Sequence, residues 1–159
     1  MQEHLNKLSI TILEKLNILM DILDSTDNTS IDTKRNTQKR TIKMIVGHLI
    51  DSASNNTHRI VNMQYQSSPL IFPDYANLGA NDKWISIQNY NNYDWEDLKS
   101  LLQTTNKHIA FIIKNIDTTK LNNTWITALE EEYTLEEIIE DYPRHFELHI
   151  NEIKDLIGK

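Results

Sequence analysis

The chain has no cysteine, and only three glycines and three prolines among its 159 residues. Without thiols, disulfides, thiolate metal sites and a cysteine nucleophile are all excluded, so any metal ion must be held by nitrogen and oxygen. Scarce glycine and proline, with Pro69 and Pro73 lying close together, disfavour the turn-dense layout of an all-β domain and favour long uninterrupted helices. Long apolar runs are missing too. The opening stretch MQEHLNKLSITILEKLNILM interleaves Glu and Lys with apolar residues, unlike a signal peptide, and no later stretch is apolar enough to span a bilayer. These absences predict a cytoplasmic protein with no membrane partner. Positive charge is in deficit, with 16 Lys and Arg against 23 Asp and Glu and a formal net charge of −7. A polyanion would be repelled, so nucleic acid is not an expected partner. One basic run, Lys34, Arg35, Lys39, Arg40 and Lys43, opposes the overall sign. It reads as a solvated helix entrance, with an anion contact as the alternative.

What is present suits one globular domain over 1–159: 39% hydrophobic and 25% charged residues, in a chain long enough to bury its own core. Four segments carry helical periodicity. In the first, Leu5, Leu8, Ile12, Leu16, Leu19 and Leu23 recur every three or four residues, predicting a helix from about 2 to 24. The polar stretch DSTDNTSIDTKRNTQ that follows reads as a loop. The second helix is expected from an N-cap at Thr41 to about Tyr65. Ile42, Val46, Leu49, Ala53 and Ile60 form its core side. A separate stripe, Ile45, His48, Ser52, Asn55 and Arg59, turns polar halfway along, which is unusual in a bundle helix.

Residues 66–93 form a long connection with aromatic anchors at Phe72, Tyr75, Trp84 and Tyr90, expected to pack over one end of the bundle as a lid. A third helix is predicted from Asp94 or Trp95 to about Ile116, with Leu98, Leu102, Ile109, Ile112 and Ile116 on one face. The turn TTKLNNTW separates it from a fourth, which opens with the capping-box pattern Thr134-Leu135-Glu136-Glu137. Acidic residues crowd that start, where they complement the positive end of the helix dipole, so no chemistry is assigned to them. The fold class is all-α: a four-helix bundle with a long crossover between the second and third helices.

Candidate chemistry lies with the histidines. His145 and His149 stand four apart on the fourth helix, roughly 40° apart around its axis, with Cβ atoms about 5–6 Å from each other. Two imidazoles so placed can share one metal ion. Tyr142, Phe146, Ile150 and Ile153 surround the pair with core positions, so an inward imidazole must be hydrogen-bonded or metal-bound. His48 lies on an inward face of the second helix, where a lone histidine would be a satisfied core residue. Three inward histidines on two helices favour a metal. Imidazole suits Zn, Ni, Cu or Fe, and three protein ligands leave coordination positions open, as in catalytic sites. Asp51, Ser52 and Asn55 follow His48 along the same side. Each is a candidate to orient an imidazole or bind substrate, and Asp51 is a candidate base; the alternative is a polar helix surface at the mouth of the bundle. His58 and His108 have no partner at ligand spacing, and His4 reads as a surface residue of the first helical turn.

The segment GHLIDSASNNTHRIVNMQ, the pattern W-x-x-x-Q-x-Y at Trp84, Gln88 and Tyr90, and TLEEIIEDYPRHFELHINEI together resemble the DinB-like superfamily of metal-binding bundles, in order and spacing, over about residues 40–157. The nearest match is an uncharacterised bacterial branch with an HLIDSA-x-NN segment. The resemblance implies a four-helix bundle with a long crossover. It also implies one divalent metal, Zn or Ni in first place, held by a histidine of helix two and an H-x-x-x-H pair of helix four. His48, His145 and His149 are the matching positions. It further implies a homodimer, and a small-molecule substrate that in some members is a low-molecular-weight thiol such as bacillithiol or mycothiol, transferred to an electrophile. Pro143 departs from the pattern. It removes one backbone hydrogen bond two residues before His145, and a kink there would re-aim that ring. The resulting expectation is metal-dependent thiol transfer to a small electrophile. Metal-dependent hydrolysis of a small molecule, or a non-catalytic metal- or ligand-binding module, are the alternatives. DNA repair, which the superfamily's "damage-inducible" name suggests, conflicts with the charge balance.

Overall fold

The computed structural model describes residues 1–159. Six helices follow along the chain: α1 (Gln2–Asp24), α2 (Asn28–Thr33), α3 (Ile42–Tyr65), α4 (Ala80–Gln88), α5 (Trp95–Lys114) and α6 (Leu135–Ile157). Three short strands join them, β1 (Leu70–Ile71), β2 (Thr124–Ile126) and β3 (Glu132–Thr134). The long helices α1, α3, α5 and α6 are the four that the periodicity predicts. The starts of α3, α5 and α6 fall where side chains meet amides that a helix leaves open. Thr41 accepts from the Met44 amide at 3.2 Å, and Asp94 from the Asp97 amide at 3.0 Å. At α6 the predicted capping box is complete: Glu137 N–H donates to Thr134 Oγ1 at 3.2 Å, and Thr134 N–H to Glu137 Oε2 at 2.8 Å.

Contacts near the ends fix the helix directions. The Gln2 amide donates to the Lys114 carbonyl at 2.8 Å and Lys99 Nζ lies 2.5 Å from Asp24, so α1 and α5 are antiparallel. His4 meets Glu140, Lys15 meets Glu147 and Lys159 meets Ser25, so α1 and α6 run parallel. Both α1 and α3 pack against α5 and α6, which places the consecutive bundle helices α1 and α3 on a diagonal. Ile42, Ile45 and Val46 at the start of α3 share one apolar cluster with Leu19 and Leu23 late in α1, Leu98 and Leu102 early in α5, and Ile150 and Ile153 late in α6. Therefore α3 runs with α5 and against α6. This up, down, down, up order obliges the chain to travel the bundle's length between α3 and α5, which is the physical reason for the long crossover. A second cluster, including Leu5, Ile12, Ile60, Met63, Ile109 and Ile139, fills the other end.

The connections hold more structure than their composition predicts. Where the polar stretch after α1 reads as loop, Asp27 accepts from the Ser30 amide at 2.8 Å and caps the short α2. Within the crossover, β1 pairs parallel with β2, and β2 pairs antiparallel with β3, making a three-stranded sheet beside the start of α6. Strands of two or three residues carry no readable alternation, so periodicity misses them. The crossover is seated on α3 by one close approach. A Cβ at Gly47 would lie 2.1 Å from Cδ2 of the Tyr90 ring, so only glycine lets that ring lie against the helix. No helix is long and apolar enough to cross a membrane.

Candidate metal centre

His48 occupies the second turn of α3, and His145 and His149 face it from successive turns of the antiparallel α6. The Nε2 atom of His145 lies 3.2 Å from Nε2 of His48 and 3.2 Å from Nε2 of His149. One nitrogen from each ring falls within 4.8 Å of the other two. Pro143 does not prevent this. Its missing amide deprives the Ile139 carbonyl of a helical donor, yet α6 continues unbroken from Leu135 to Ile157, and the His145 ring stays aimed at its two partners.

The rings sit largely out of water. Burial pushes the His48 imidazole down to about 2, and the neighbouring His149, His145 and Arg40 charges act in the same direction. Burial likewise lowers His145 to about 4, reinforced by His149 and Arg144 and opposed by Asp141. At neutral pH both are uncharged, the form in which imidazole ligates a metal.

Groups behind the rings set which nitrogen carries the proton. His149 Nδ1 is 2.8 Å from Glu152 Oε2, and Glu152 Oε1 also accepts from Asn36 Nδ2 at 2.5 Å. Burial alone would raise the Glu152 carboxyl, but the hydrogen bonds from His149 and Asn36 outweigh it and hold the group below the usual carboxylate range. An ionised carboxylate only accepts, so His149 Nδ1 must donate, leaving a lone pair on Nε2. Tyr75 Oη lies 2.7 Å from His48 Nδ1 and donates to the His48 carbonyl at 3.5 Å, which leaves it free to accept from that ring nitrogen. Again the lone pair falls on Nε2. A proton on His145 Nε2 would reach only one of these two lone pairs at a time, whereas a cation between the rings satisfies all three nitrogens. The donor set therefore fits a divalent metal held by three neutral imidazoles, the pattern in which a ligating histidine gives its other N–H to an oxygen acceptor.

The other candidates divide. Asn55 lines the cleft in front of the histidines, with its Nδ2 donating to the Asp51 carbonyl at 2.9 Å. Asp51 is buried but is not part of the cleft wall. Its Oδ1 accepts from Tyr90 Oη at 2.6 Å and Gln88 Nε2 at 2.5 Å, so two residues of the W-x-x-x-Q-x-Y pattern clasp the crossover to α3 through it. Burial raises the Asp51 carboxyl, while Tyr90, Gln88 and Tyr75 pull it the other way. Its position gives it no access as a base to a molecule in the cleft. The exposed His58 and His108 stand apart from the site, and His4 pairs with Glu140 at the surface.

The cleft between α3 and α6 encloses about 1240 Å³ and is walled at its ends by the polar segment before α3 and by the strands around Trp125 and Tyr133. Arg40, read as part of a solvated entrance, is only 3% exposed. It lines this cleft and pairs with Asp82 at 2.6 Å. Sequence reasoning also missed Glu152 and Tyr75 as partners of the histidine rings. Glu152 had a usable signal, since a residue three after His149 lies beside it on the helix. Tyr75, far along an irregular crossover, had none.

By sequence, no known protein family and no curated protein matches this chain. By structure it is similar to YfiT from Bacillus subtilis, a probable metal-dependent hydrolase with an unusual four-helix bundle topology. That match has a TM-score of 0.82 and 20% identity, and covers 99% of this chain and 90% of YfiT. It is also similar to a mycothiol-dependent maleylpyruvate isomerase, at a TM-score of 0.76 and 12% identity over 96% of this chain, and to a variant of that isomerase at 0.74. The chain spans 60% of the isomerase's length. These likenesses show the fold, a four-helix bundle.

Proposed function

We propose that His48, His145 and His149 hold one divalent metal ion, Zn or Ni in first place, and that the site serves thiol transfer to a small electrophile in the cleft. The observation that carries this reading is the convergence of three Nε2 atoms, with the second nitrogen of His48 and of His149 occupied by Tyr75 and Glu152. Bound there, the metal supplies Lewis acidity that favours the deprotonated form of a sulfur or oxygen donor. The chain's own residues do the rest. Glu152 and Tyr75 keep the rings oriented, the cleft admits the substrate, and Ser52 and Asn55 offer polar contacts along its α3 wall.

Thiol transfer is preferred to hydrolysis for a reason of proton handling. The two carboxylates that act on these imidazoles are both engaged, Glu152 by His149 and Asn36, and Asp141 by Arg144 at 2.5 Å. Glu152, the carboxylate in direct contact with one of the rings, is thereby held by two donors and is not free to take a proton from water. A thiol, already acidic near neutral pH, has less need of such a base. Hydrolysis is the second reading, supported by the likeness to YfiT. The reading extends to a cytoplasmic homodimer, with exposed apolar side chains such as Ile10, Ile18 and Phe111 available to a second copy.

Elemental analysis of untagged protein tests the metal. Wild type is expected to carry about one ion per chain and His149→Ala to lose most of it, because removal of one of three ligands sharply weakens affinity. Equal metal in both would sink the assignment. Consumption of a small thiol with an alkyl halide, against ester hydrolysis by the same loaded protein, separates the two chemistries.

A further inference from the structure

The geometry points to Arg59 as an anion-binding residue at the far end of the cleft, where it takes a carboxylate or phosphate group of the same small molecule whose reacting end lies at the three histidines. This rests on the reading of the site as a small-molecule centre, and deepens it by naming the substrate class: a two-ended anionic molecule.

Arg59 lines the cleft and lies on the stripe of α3 that also carries His48, Ser52 and Asn55. Its guanidinium sits over the Trp125 ring at 4.0 Å from the centroid, a cation–π seat that fixes the plane of the group. Trp125 is itself anchored, since its Nε1 donates to the Phe72 carbonyl at 3.2 Å. Of the five N–H donors on Arg59, one on Nη2 reaches a protein acceptor, Asn56 Oδ1. The Nε atom is buried with no partner at all. Removing a cation from water without an acceptor is costly, so a rigidly held, under-satisfied guanidinium in a cleft wall is configured for an incoming anion.

Comparison with Arg40, a buried arginine that lines the same cleft, sharpens the point. Arg40 also has a buried Nε without a partner, but its guanidinium is matched by the Asp82 carboxylate at 2.6 Å, so the missing carboxylate is what sets Arg59 apart. Arg59 forms no ion pair with any carboxylate. Asp74 is the one acid close enough to act on it, and its own oxygens are taken by the amides of Ala76 and Ala128 at 2.8 and 3.0 Å and by the Asn77 side chain at 2.8 Å. Burial lowers the Arg59 group to about 10, partly offset by Asp74, so it stays charged at neutral pH. Position supplies the span. From residue 48 to residue 59 is eleven residues, roughly 16 Å along the axis at about 1.5 Å per residue. With allowance for the side chains, the ligand's two ends are on the order of 10–16 Å apart.

The test follows the Trp125 indole N–H by two-dimensional NMR of the full chain, with Trp84 and Trp95 as internal controls. Metal-free and zinc-loaded protein are each titrated with propionate, with inorganic phosphate and with neutral propionamide. Saturable movement of the Trp125 signal alone is expected with one of the anions and not with propionamide, in both forms of the protein. Propionate and phosphate arms tell a carboxylate from a phosphoryl group. Arg59→Met is expected to weaken the anion at least about tenfold, and Arg59→Lys, which keeps the charge but loses the fork, should fall between. Should Arg59→Met fail to fold, Arg59→Lys decides, and unchanged affinity there counts against the proposal. Overturning results are movement no larger at Trp125 than at the other two indoles, or movement that survives loss of Arg59. Because the metal-free arm needs no ion, failure here is distinct from failure of the histidine site. In zinc-loaded protein, ω-mercaptocarboxylates of rising chain length should bind tightest at one length, and a flat series in wild type overturns the two-ended ligand.

Discussion

Two seams of the same bundle have opposite character. Between α1 and α5, facing positions such as Leu5, Ile12, Leu16, Leu98, Leu102 and Ile109 are wholly buried, and ion pairs are confined to the ends. Between α3 and α6 the facing positions are His48, Ser52, Asn55 and Arg59 against Asp141, His145 and His149, and the seam opens into the cleft. Helix length and geometry are alike on both sides, so residue choice along one stripe makes the difference. Apolar area removed from water is worth about 25 cal/mol per Å², and the closed seam supplies it. The open seam carries converging lone pairs and an under-satisfied arginine, features that weaken a fold and equip a site. One seam carries the close packing, and the other carries the histidines and the cleft.

The sharpest way to break this division is Phe146→Ala. Phe146 has no solvent exposure, follows His145 directly, and belongs to the cluster that closes the top of the bundle. Its loss is expected to destabilise the protein by about 3–5 kcal/mol in urea unfolding. In contrast, metal-free His149→Ala should cost less, about 1–2 kcal/mol, because the lost hydrogen bond to Glu152 is partly offset by removal of a lone pair that faces the other rings. A comparable loss in both variants would show that the two seams share one load.

Glu152→Gln tests the open seam from behind. The substitution keeps the shape but removes the charge that makes His149 Nδ1 a donor, so metal affinity should fall about 10- to 100-fold by competition with a chelating dye. Metal-free unfolding should hardly change. An unaltered affinity would show that Glu152 does not set the ring.

Acid offers a titration of the same seam. In metal-free protein the folded-state pKa values of His48 and His145 are lowered to about 2 and about 4, from an ordinary value of 6.5. Above 6.5 both states hold neutral rings and stability is at its full value. As pH falls from 6.5 toward 4, the unfolded chain takes up protons that the folded one refuses, so stability is lost at up to about 1.4 kcal/mol per pH unit per histidine. Below 4 the His145 contribution levels off, while that of His48 continues toward 2. His48→Gln should flatten the slope in this window. A slope that is the same in wild type and variant would place the acid sensitivity elsewhere.

How much of this could be read beforehand follows from what periodicity records. The helices, their caps and the three ring positions were legible because spacing of 3.6 residues and cap chemistry are local. The polar turn in the stripe Ile45, His48, Ser52, Asn55 and Arg59 marked the open seam, since a sealed helix has no use for Asn and Arg on a facing stripe. Asp51 illustrates the limit. Its spacing from His48 suggested a base, but a residue three positions on lies about 60° around the axis, and the crossover claims it through Gln88 and Tyr90. Tyr75, the two-residue β1 and the seat of Arg59 on Trp125 depend on partners 27 to 66 residues away along irregular chain, which no local pattern encodes.

The smallest expected effect comes from a residue shared by neither seam. Thr134 caps α6 at its far end, and Thr134→Ala removes the acceptor for the Glu137 amide while leaving every ring contact in place. The expected loss is about 1 kcal/mol of unfolding free energy, typical of a single cap. Fifteen residues separate Thr134 from His149, roughly 22 Å of helix. Stability lost there should fray the first turn and decay before it reaches the rings, so bound metal per chain should match wild type. If instead the metal content fell with the cap, α6 would be acting as one rigid lever. The independence of the open seam from the ends of its helices would then have to be given up.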